Sequence, residues 1–357
     1  MHPRQVLHGA LARANALPVC DHYCGVETRI RKSLALQAEM TAKYRACVFD
    51  VTLDCEDGAP VGAEREHAEM VAALANQAWS ESRRLVDGTD QGLLARIAVR
   101  VHPVDHPAFE QDVRTVVGAA GSALCHVMIP KVESVSDVEQ AVRAIDSASA
   151  AKSAAPPLPL HILIESSLAV HHSHAIAAHP RVQSLSFGLM DFVAAHAGAI
   201  PASAMAASSQ TAGTALGQFS HPLVLRAKIE IAAACHAYGK TPSHCVVTEF
   251  SDRVALRVAA TRAARELGYT RMWSIHPDQI LPIVEAFAPA EEEIELAAQI
   301  VAAADRADWA PVSIDGQLHD RASYRYYWEL LERAHQTGRV LPAVARVYFF
   351  APGGAVH

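Results

Sequence analysis

His161-Ile162-Leu163-Ile164-Glu165-Ser166 and, one helical interval later, Ser184-Leu185-Ser186-Phe187-Gly188-Leu189-Met190-Asp191-Phe192 decide how the chain reads. Each is a short apolar run ending in a carboxylate: Glu165 in the first, and Asp191, three residues past Gly188, in the second. Short runs bounded by turn residues and separated by a helix-sized gap read as neighbouring parallel strands. Their carboxyl-terminal tips then face the same way, about 5 Å apart. Two hard oxygen ligands at that spacing, with room for water and a substrate carboxylate, suit Mg²⁺ (Mn²⁺ as the alternative) better than zinc.

Outward from this pair the chain alternates. Strand candidates precede it at 17–20, 46–53, 96–102 and 125–131, and follow it at 245–249 and 271–275. Helical segments lie between them at 28–44, 63–85, 109–120, 137–151 (capped by Ser136), 223–238 and 252–267. Eight strands alternating with helices imply a parallel sheet. Eight units of this size are the arithmetic of an α/β fold, the (β/α)₈ TIM barrel, over residues 1–288. A doubly wound open sheet is the runner-up, but no Gly-rich dinucleotide turn follows an early strand. Leu7, Leu11 and Ala14 form an amphipathic lead-in; 154–160 reads as a loop, and 201–220 as a long loop over the site.

Residues 289–357 form a carboxyl-terminal helical extension. One helix begins at Ala290 with Ile294, Ala297, Ala298 and Val301 on one face, 311–320 is a loop, and 322–337 is a second helix with an aromatic side of Tyr324, Tyr327, Trp328 and Leu331. A helix pair beyond a closed barrel must pack on its outside or on another subunit. With 357 residues, ample apolar content and a net charge of −7, the chain is globular and offers no basic face for nucleic acid. No run is long enough for a membrane span, and no secretory leader is recognisable. Seven scattered cysteines without a Cys-x-x-Cys pair point to a reduced, cytoplasmic protein.

A barrel places its chemistry at the strand ends. The polar residues there are Asp54, Glu56 and Asp57; Arg100 and His102; Lys131 and Glu133; Glu165; Asp191; Glu249; and His276. Any one of them reads equally well as a solvated loop residue, but together they fit a divalent cation and an anionic substrate. His171-His172-Ser173-His174 lacks the His-Glu-x-x-His pattern and reads as a helix start. No nucleophile elbow, phosphate-binding loop or kinase signature is present.

These motifs resemble the citrate lyase β-subunit and malyl-CoA lyase family within the HpcH/HpaI aldolase/citrate lyase superfamily. The resemblance spans about 46–334 and rests on Leu53-Asp54-Cys55-Glu56-Asp57-Gly58, Val99-Arg100-Val101, Ile129-Pro130-Lys131-Val132-Glu133-Ser134, Leu163-Ile164-Glu165, Phe187-Gly188-Leu189-Met190-Asp191-Phe192, Ser274-Ile275-His276-Pro277-Asp278-Gln279-Ile280 and Asp315-Gly316-Gln317-Leu318-His319-Asp320. It implies a carbon–carbon lyase acting on an acyl-CoA thioester and a small 2-keto acid, with Glu165 and Asp191 as Mg²⁺ ligands. Arg100 matches the arginine facing the thioester enolate oxygen, and Asp320 the acid offered by a neighbouring subunit of a homotrimer or homohexamer. Glu56 and Asp57 match a pair supporting the metal's waters. The candidate catalytic set is thus Arg100, Asp320, Glu56, Asp57 and Lys131, with Arg100, Gly188, Leu189 and Met190 against substrate. His102 departs from the family's usual asparagine, 17–23 lacks its usual Arg and Val-Pro, and Thr248-Glu249-Phe250 replaces an aspartate-bearing turn. A citryl-thioester lyase subunit, and a barrel that binds thioesters or metal without turnover, are the alternatives.

Overall fold

The computed structural model describes residues 2–9, 17–85, 91–149, 156–207 and 216–350. Eight parallel strands close in chain order: β1 Cys20–Cys24, β2 Phe49–Asp54, β3 Ile97–Arg100, β4 Leu124–Ile129, β5 Leu160–Ile164, β6 Val182–Phe187, β7 Thr241–His244 and β8 Arg271–Ser274. β1 pairs with both β2 and β8, so the sheet has no edge. Glu27–Tyr44, Glu64–Leu85, Val135–Ser149, Ser167–Ala178, Pro222–Ala237, Arg253–Arg265 and Pro277–Phe287 are the principal helices between and after the strands, with a π-helical section at Val113–Val117 in the connection after β3. This is the expected (β/α)₈ barrel.

The alternation within β2 shows how the strands are held. Phe49, Val51 and Leu53 join the apolar core that also holds Ile30, Val71 and Ala72 of the helices. Asp50, Thr52 and Asp54 take the opposite face. Thr52 Oγ1 donates to Asp21 Oδ1 at 2.7 Å. Arg271 Nη2 from β8 lies 2.8 Å from Asp21 and 2.7 Å from Asp50, and Arg96 Nε donates to Asp50 at 2.6 Å. Burial raises Asp21 above the usual carboxylate range despite Arg271; at Asp50 the charges of Arg96 and Arg271 outweigh burial and lower it. The His126 and His161 rings stack 3.5 Å apart, and burial pushes His161 down to about 3, so both are neutral. Barrels of this kind usually fill with branched apolar side chains; the middle of this one is ionic.

Two strands lie away from their expected places. β1 is Cys20–Cys24 and not 17–20, because the strand carries the buried polar side chains of Asp21 and His22 and so is not an apolar run. β7 is Thr241–His244 and not 245–249: Ser243 and His244 take the register opposite Arg271 and Met272. Cys245 and Val247 are buried beyond the ladder, and the Val247 carbonyl accepts from Gln279 Nε2 at 2.7 Å. The helix expected from 137 starts at Val135, with Asp137 and not Ser136 accepting from the Glu133 and Ser134 N–H groups. Residues 311–320 contain an antiparallel hairpin, β9 Val312–Ile314 and β10 Gln317–His319. Leu11, Ala14, 150–151, 154–155 and 208–215 lie outside the described residues.

Beyond the barrel, Glu291–Arg306, Arg321–Gln336 and Ala343–Phe350 make a three-helix unit, one helix more than expected. Its core is separate and centres on Ile300, Val301, Tyr324, Trp328 and Leu331, with Leu7 of the lead-in buried among them. Glu329, Glu332 and Arg333 share a cavity with Leu17, Pro159, Thr241 and Thr270, which places the second of these helices at the amino-terminal end of the barrel. No described helix is long and apolar enough to cross a membrane.

Arg271→Met should destabilise the protein by about 3–5 kcal/mol, because it leaves Asp21 and Asp50 buried without their shared cation. A urea or guanidinium midpoint measured at neutral pH checks this; an unchanged midpoint would show that the ionic layer is incidental.

Candidate active site

Five strand ends meet at the opposite, carboxyl-terminal mouth. β2 ends in Asp54, which Arg100 at the end of β3 grips through Nε (2.7 Å to Oδ1) and Nη2 (2.5 Å to Oδ2). The N–H groups of Glu56 and Gly58 donate to the same carboxylate, so the turn wraps around it. A Cβ on Gly58 would stand 2.2 Å from Asp54 Oδ2. Burial alone would raise Asp54; the Arg100 charge and these hydrogen bonds hold it below the usual carboxylate range. Arg100 Nη1 also reaches Glu56 Oε2 at 2.9 Å.

Lys131 follows β4 with a left-handed backbone, φ 53°. That turn sends its N–H to Glu165 Oε2 at 2.7 Å, while its side chain reaches Glu56 Oε1 at 2.6 Å and Asp57 Oδ2 at 3.6 Å. Glu165, just past β5, is buried. Burial first and the charge of Asp191 second push its carboxyl up to about 8, with the Lys131 N–H and Arg100 pulling the other way. Asp191 is half-buried in the first turn of Leu189–Ala194. A Cβ on Gly188 would sit 2.4 Å from Glu165 Oε1, so the Glu165 side chain needs a glycine here. Leu189 turns its side chain into the core, and Met190 is half exposed.

Arg100, Glu56, Asp57, Lys131, Glu165, Asp191 and Gly188 therefore gather at one mouth. Asp320 does not join them within its own chain: it caps Arg321–Gln336, accepting from the Ala322 and Ser323 N–H groups. Among the described residues neither Glu165 nor Asp191 has a cationic side chain within ion-pair distance. A buried carboxylate and a like-charged neighbour open to solvent, both offering hard oxygens, fit a divalent cation of the Mg²⁺ class. Asp21, His126 and His161 also bring donor atoms within 4.8 Å of one another. Arg271 already lies 2.8 Å from that Asp21 oxygen, and its charge opposes a metal there.

Beside the mouth opens a cavity of about 1110 Å³ lined by Tyr23, Trp273, Asp54 and Arg100, with Arg29 and Lys32 of Glu27–Tyr44 also on its wall. The buried Trp273 Nε1 has no acceptor among the described residues, an arrangement costing about 1–3 kcal/mol unless water or a ligand supplies one. Tyr23 and Trp273 are 250 positions apart, and no local signal joined them. Sequence reasoning placed Asp54 in the strand-end cluster without joining it to Arg100. It also passed over Asp112, whose Oδ2 accepts from both the N–H and Nδ1 of His102, at 3.0 and 2.6 Å.

His102 is raised above its ordinary value, first by the Asp112 hydrogen bond, against partial burial. A histidine raised in the folded state contributes stability below its unfolded value, about 6.5, and loses it as pH rises through the folded value. Asp112→Asn should therefore cost more stability at pH 5.5 than at pH 8.5, read from urea midpoints at the two pH values.

The fold and the motif order have counterparts among known proteins. The profile of the HpcH/HpaI aldolase/citrate lyase family matches residues 35–277. An L-malyl-CoA/beta-methylmalyl-CoA lyase of Cereibacter sphaeroides is 30% identical over 301 residues, covering 79% of this chain and 86% of its own. A crystal structure of a citrate lyase from Burkholderia xenovorans LB400 is 46% identical, with a TM-score of 0.75 over 98% of this chain and 99% of that one. CitE of Mycobacterium tuberculosis, solved with magnesium, acetoacetate and coenzyme A, shares the fold at 21% identity, with a TM-score of 0.58 over 89% of this chain and 98% of that one. With a match running through seven of the eight strands and the whole carboxylate mouth, this chain belongs to the HpcH/HpaI aldolase/citrate lyase family.

Proposed function

We propose that the chain is a Mg²⁺-dependent carbon–carbon lyase that splits, or in reverse makes, a 3-hydroxy-3-carboxyacyl-CoA of the malyl-CoA or citramalyl-CoA type, giving an acyl-CoA and a small 2-keto acid. The observation that carries this reading is the Glu165–Asp191 pair, left without a cationic partner among the described residues beside an arginine that is itself firmly held. The malyl-CoA lyases among its relatives support the substrate class. Bound between Glu165 and Asp191, Mg²⁺ would supply polarisation of the keto acid's carbonyl and a clamp on its carboxylate.

The protein's own groups do the rest. Three of the five N–H donors of Arg100 are committed to Asp54 and Glu56, leaving two for the thioester oxygen. Because Asp54 and Glu56 fix the guanidinium beforehand, it meets enolate charge as that charge develops, with little reorganisation. Lys131 holds Glu56 and Asp57 in place with its side chain and Glu165 with its backbone. Arg29 and Lys32, exposed at the cavity and free of carboxylate partners among the described residues, suit the phosphates of coenzyme A. In the synthetic direction a carboxylate must take a proton from the acyl α-carbon. Asp320 of the partner subunit fills that role in a homotrimer or homohexamer, because the extension carries its own Asp320 in a separate unit away from the mouth of its own barrel. Seven free thiols fit a reducing cytoplasm.

A citryl-thioester lyase is the second reading, favoured by the 46% identity to the Burkholderia citrate lyase. A coupled assay of malyl-, methylmalyl-, citramalyl- and citryl-CoA, with and without Mg²⁺, separates the two. Mg²⁺-dependent release of glyoxylate or pyruvate supports the first reading and release of oxaloacetate the second; no keto acid from any of them sinks both. Arg100→Gln and Asp320→Asn should each lower kcat about 10²–10³-fold. Co-expressed as mixed oligomers, the two variants should recover activity, since some mouths then combine Arg100 with an intact Asp320; failure to recover would place Asp320 outside the neighbouring site.

A further inference from the structure

Beneath the mouth the barrel is filled by a small apolar cluster of its own: Tyr23 of β1, Met128 of β4, Leu163 of β5 and Trp273 of β8. The Tyr23 and Trp273 rings stack with centroids 4.4 Å apart and planes 25° apart, and the Tyr23 hydroxyl donates to the Met128 sulfur. Both rings face the cavity and are otherwise buried. The Arg100 guanidinium carbon lies 5.5 Å from the centre of the Tyr23 ring, so the arginine and this aromatic wall adjoin.

The wall has a rigid backing. Tyr23, Met128, Leu163 and Trp273 each stand two residues past a member of the polar interior: Asp21, His126, His161 and Arg271. On a strand that spacing is one layer up on the same face. The rings cannot recede without pressing on the layer in which Arg271 holds Asp21 and Asp50, and close-packed interiors transmit such strain instead of absorbing it.

We infer that this plug, with Tyr23 and Trp273 as its cavity-facing wall, limits the acyl group of the thioester to two or three carbons. The inference rests on the lyase reading, which puts the thioester oxygen at the free N–H groups of Arg100. With the oxygen there, the acyl α-carbon lies beside Tyr23. A methyl on it fits against the ring faces, and each further methylene runs into the stack.

The test is Mg²⁺-supported condensation of glyoxylate with acetyl-, propanoyl-, butanoyl- and hexanoyl-CoA, read as kcat/KM. The native enzyme should lose about 10- to 100-fold between propanoyl and butanoyl. Tyr23→Val should raise butanoyl relative to acetyl by at least about 10-fold, whereas Tyr23→Phe, which keeps the ring, should keep the cut-off. If Tyr23→Val does not fold, Met128→Ala opens the same plug from β4. A native enzyme that takes butanoyl as well as acetyl overturns the inference, as does an unchanged cut-off in an opened variant still active on acetyl-CoA. Absence of condensation with any thioester removes the lyase reading itself, and the inference with it.

Discussion

Arg271 reaches from the last strand to the first two and holds Asp21 and Asp50 at 2.8 and 2.7 Å inside the closed barrel, where none of the three is exposed. With Arg96 on Asp50, two carboxylates meet two guanidinium groups. Such a layer adds little net stability over an apolar one, because desolvation offsets most of the attraction. What it does is specify register. A one-residue slip of β1, β2 or β8 would turn a charge out of the barrel into the apolar shell beneath the helices. The positions of Asp54 and Tyr23 at the mouth follow from that register, since they share strand faces with Asp50 and Asp21.

At the mouth the same physics leaves charge unbalanced. Arg100 and Lys131 are spent on Asp54, Glu56 and Asp57. Among the described residues Glu165 receives a backbone N–H but no ammonium or guanidinium, and burial beside Asp191 raises its proton affinity. The cations are thus anchored as fixed electrostatic groups, and among the described residues the remaining carboxylate pair keeps no counter-charge at ion-pair distance. Gly188 completes the arrangement by leaving room for the Glu165 carboxylate against the backbone of the β6 turn.

The extension is built on separate terms. Its core is distinct from that of the barrel, and it meets the barrel through contacts such as Arg265 with Glu293 at 2.8 and 2.9 Å. Asp320 stands in this unit as the cap of Arg321–Gln336.

Much of this was legible in the residues. The β–α rhythm, the number of strands and the carboxylates at their ends follow from local patterning, because each strand end is punctuated by a turn next to its own motif. The chain alone also put Glu165 and Asp191 beyond the ends of adjacent strands, since a short crossover fixes neighbours. It could not place β1 or β7. Asp21 of β1 is tolerated because Thr52 and Arg271 from other strands satisfy it inside the barrel, and the short polar β7 is recognisable only from its pairing with β6 and β8. The stacking of Tyr23 on Trp273 and the pairing of His102 with Asp112 arise the same way, from barrel closure and a turn of helix, and no spacing in the sequence encodes them. The sequence by itself determined the architecture and the inventory of charges; only the tertiary structure decided which charges cancel and which remain, because cancellation depends on distances of 3 Å between residues that closure of the barrel brings together.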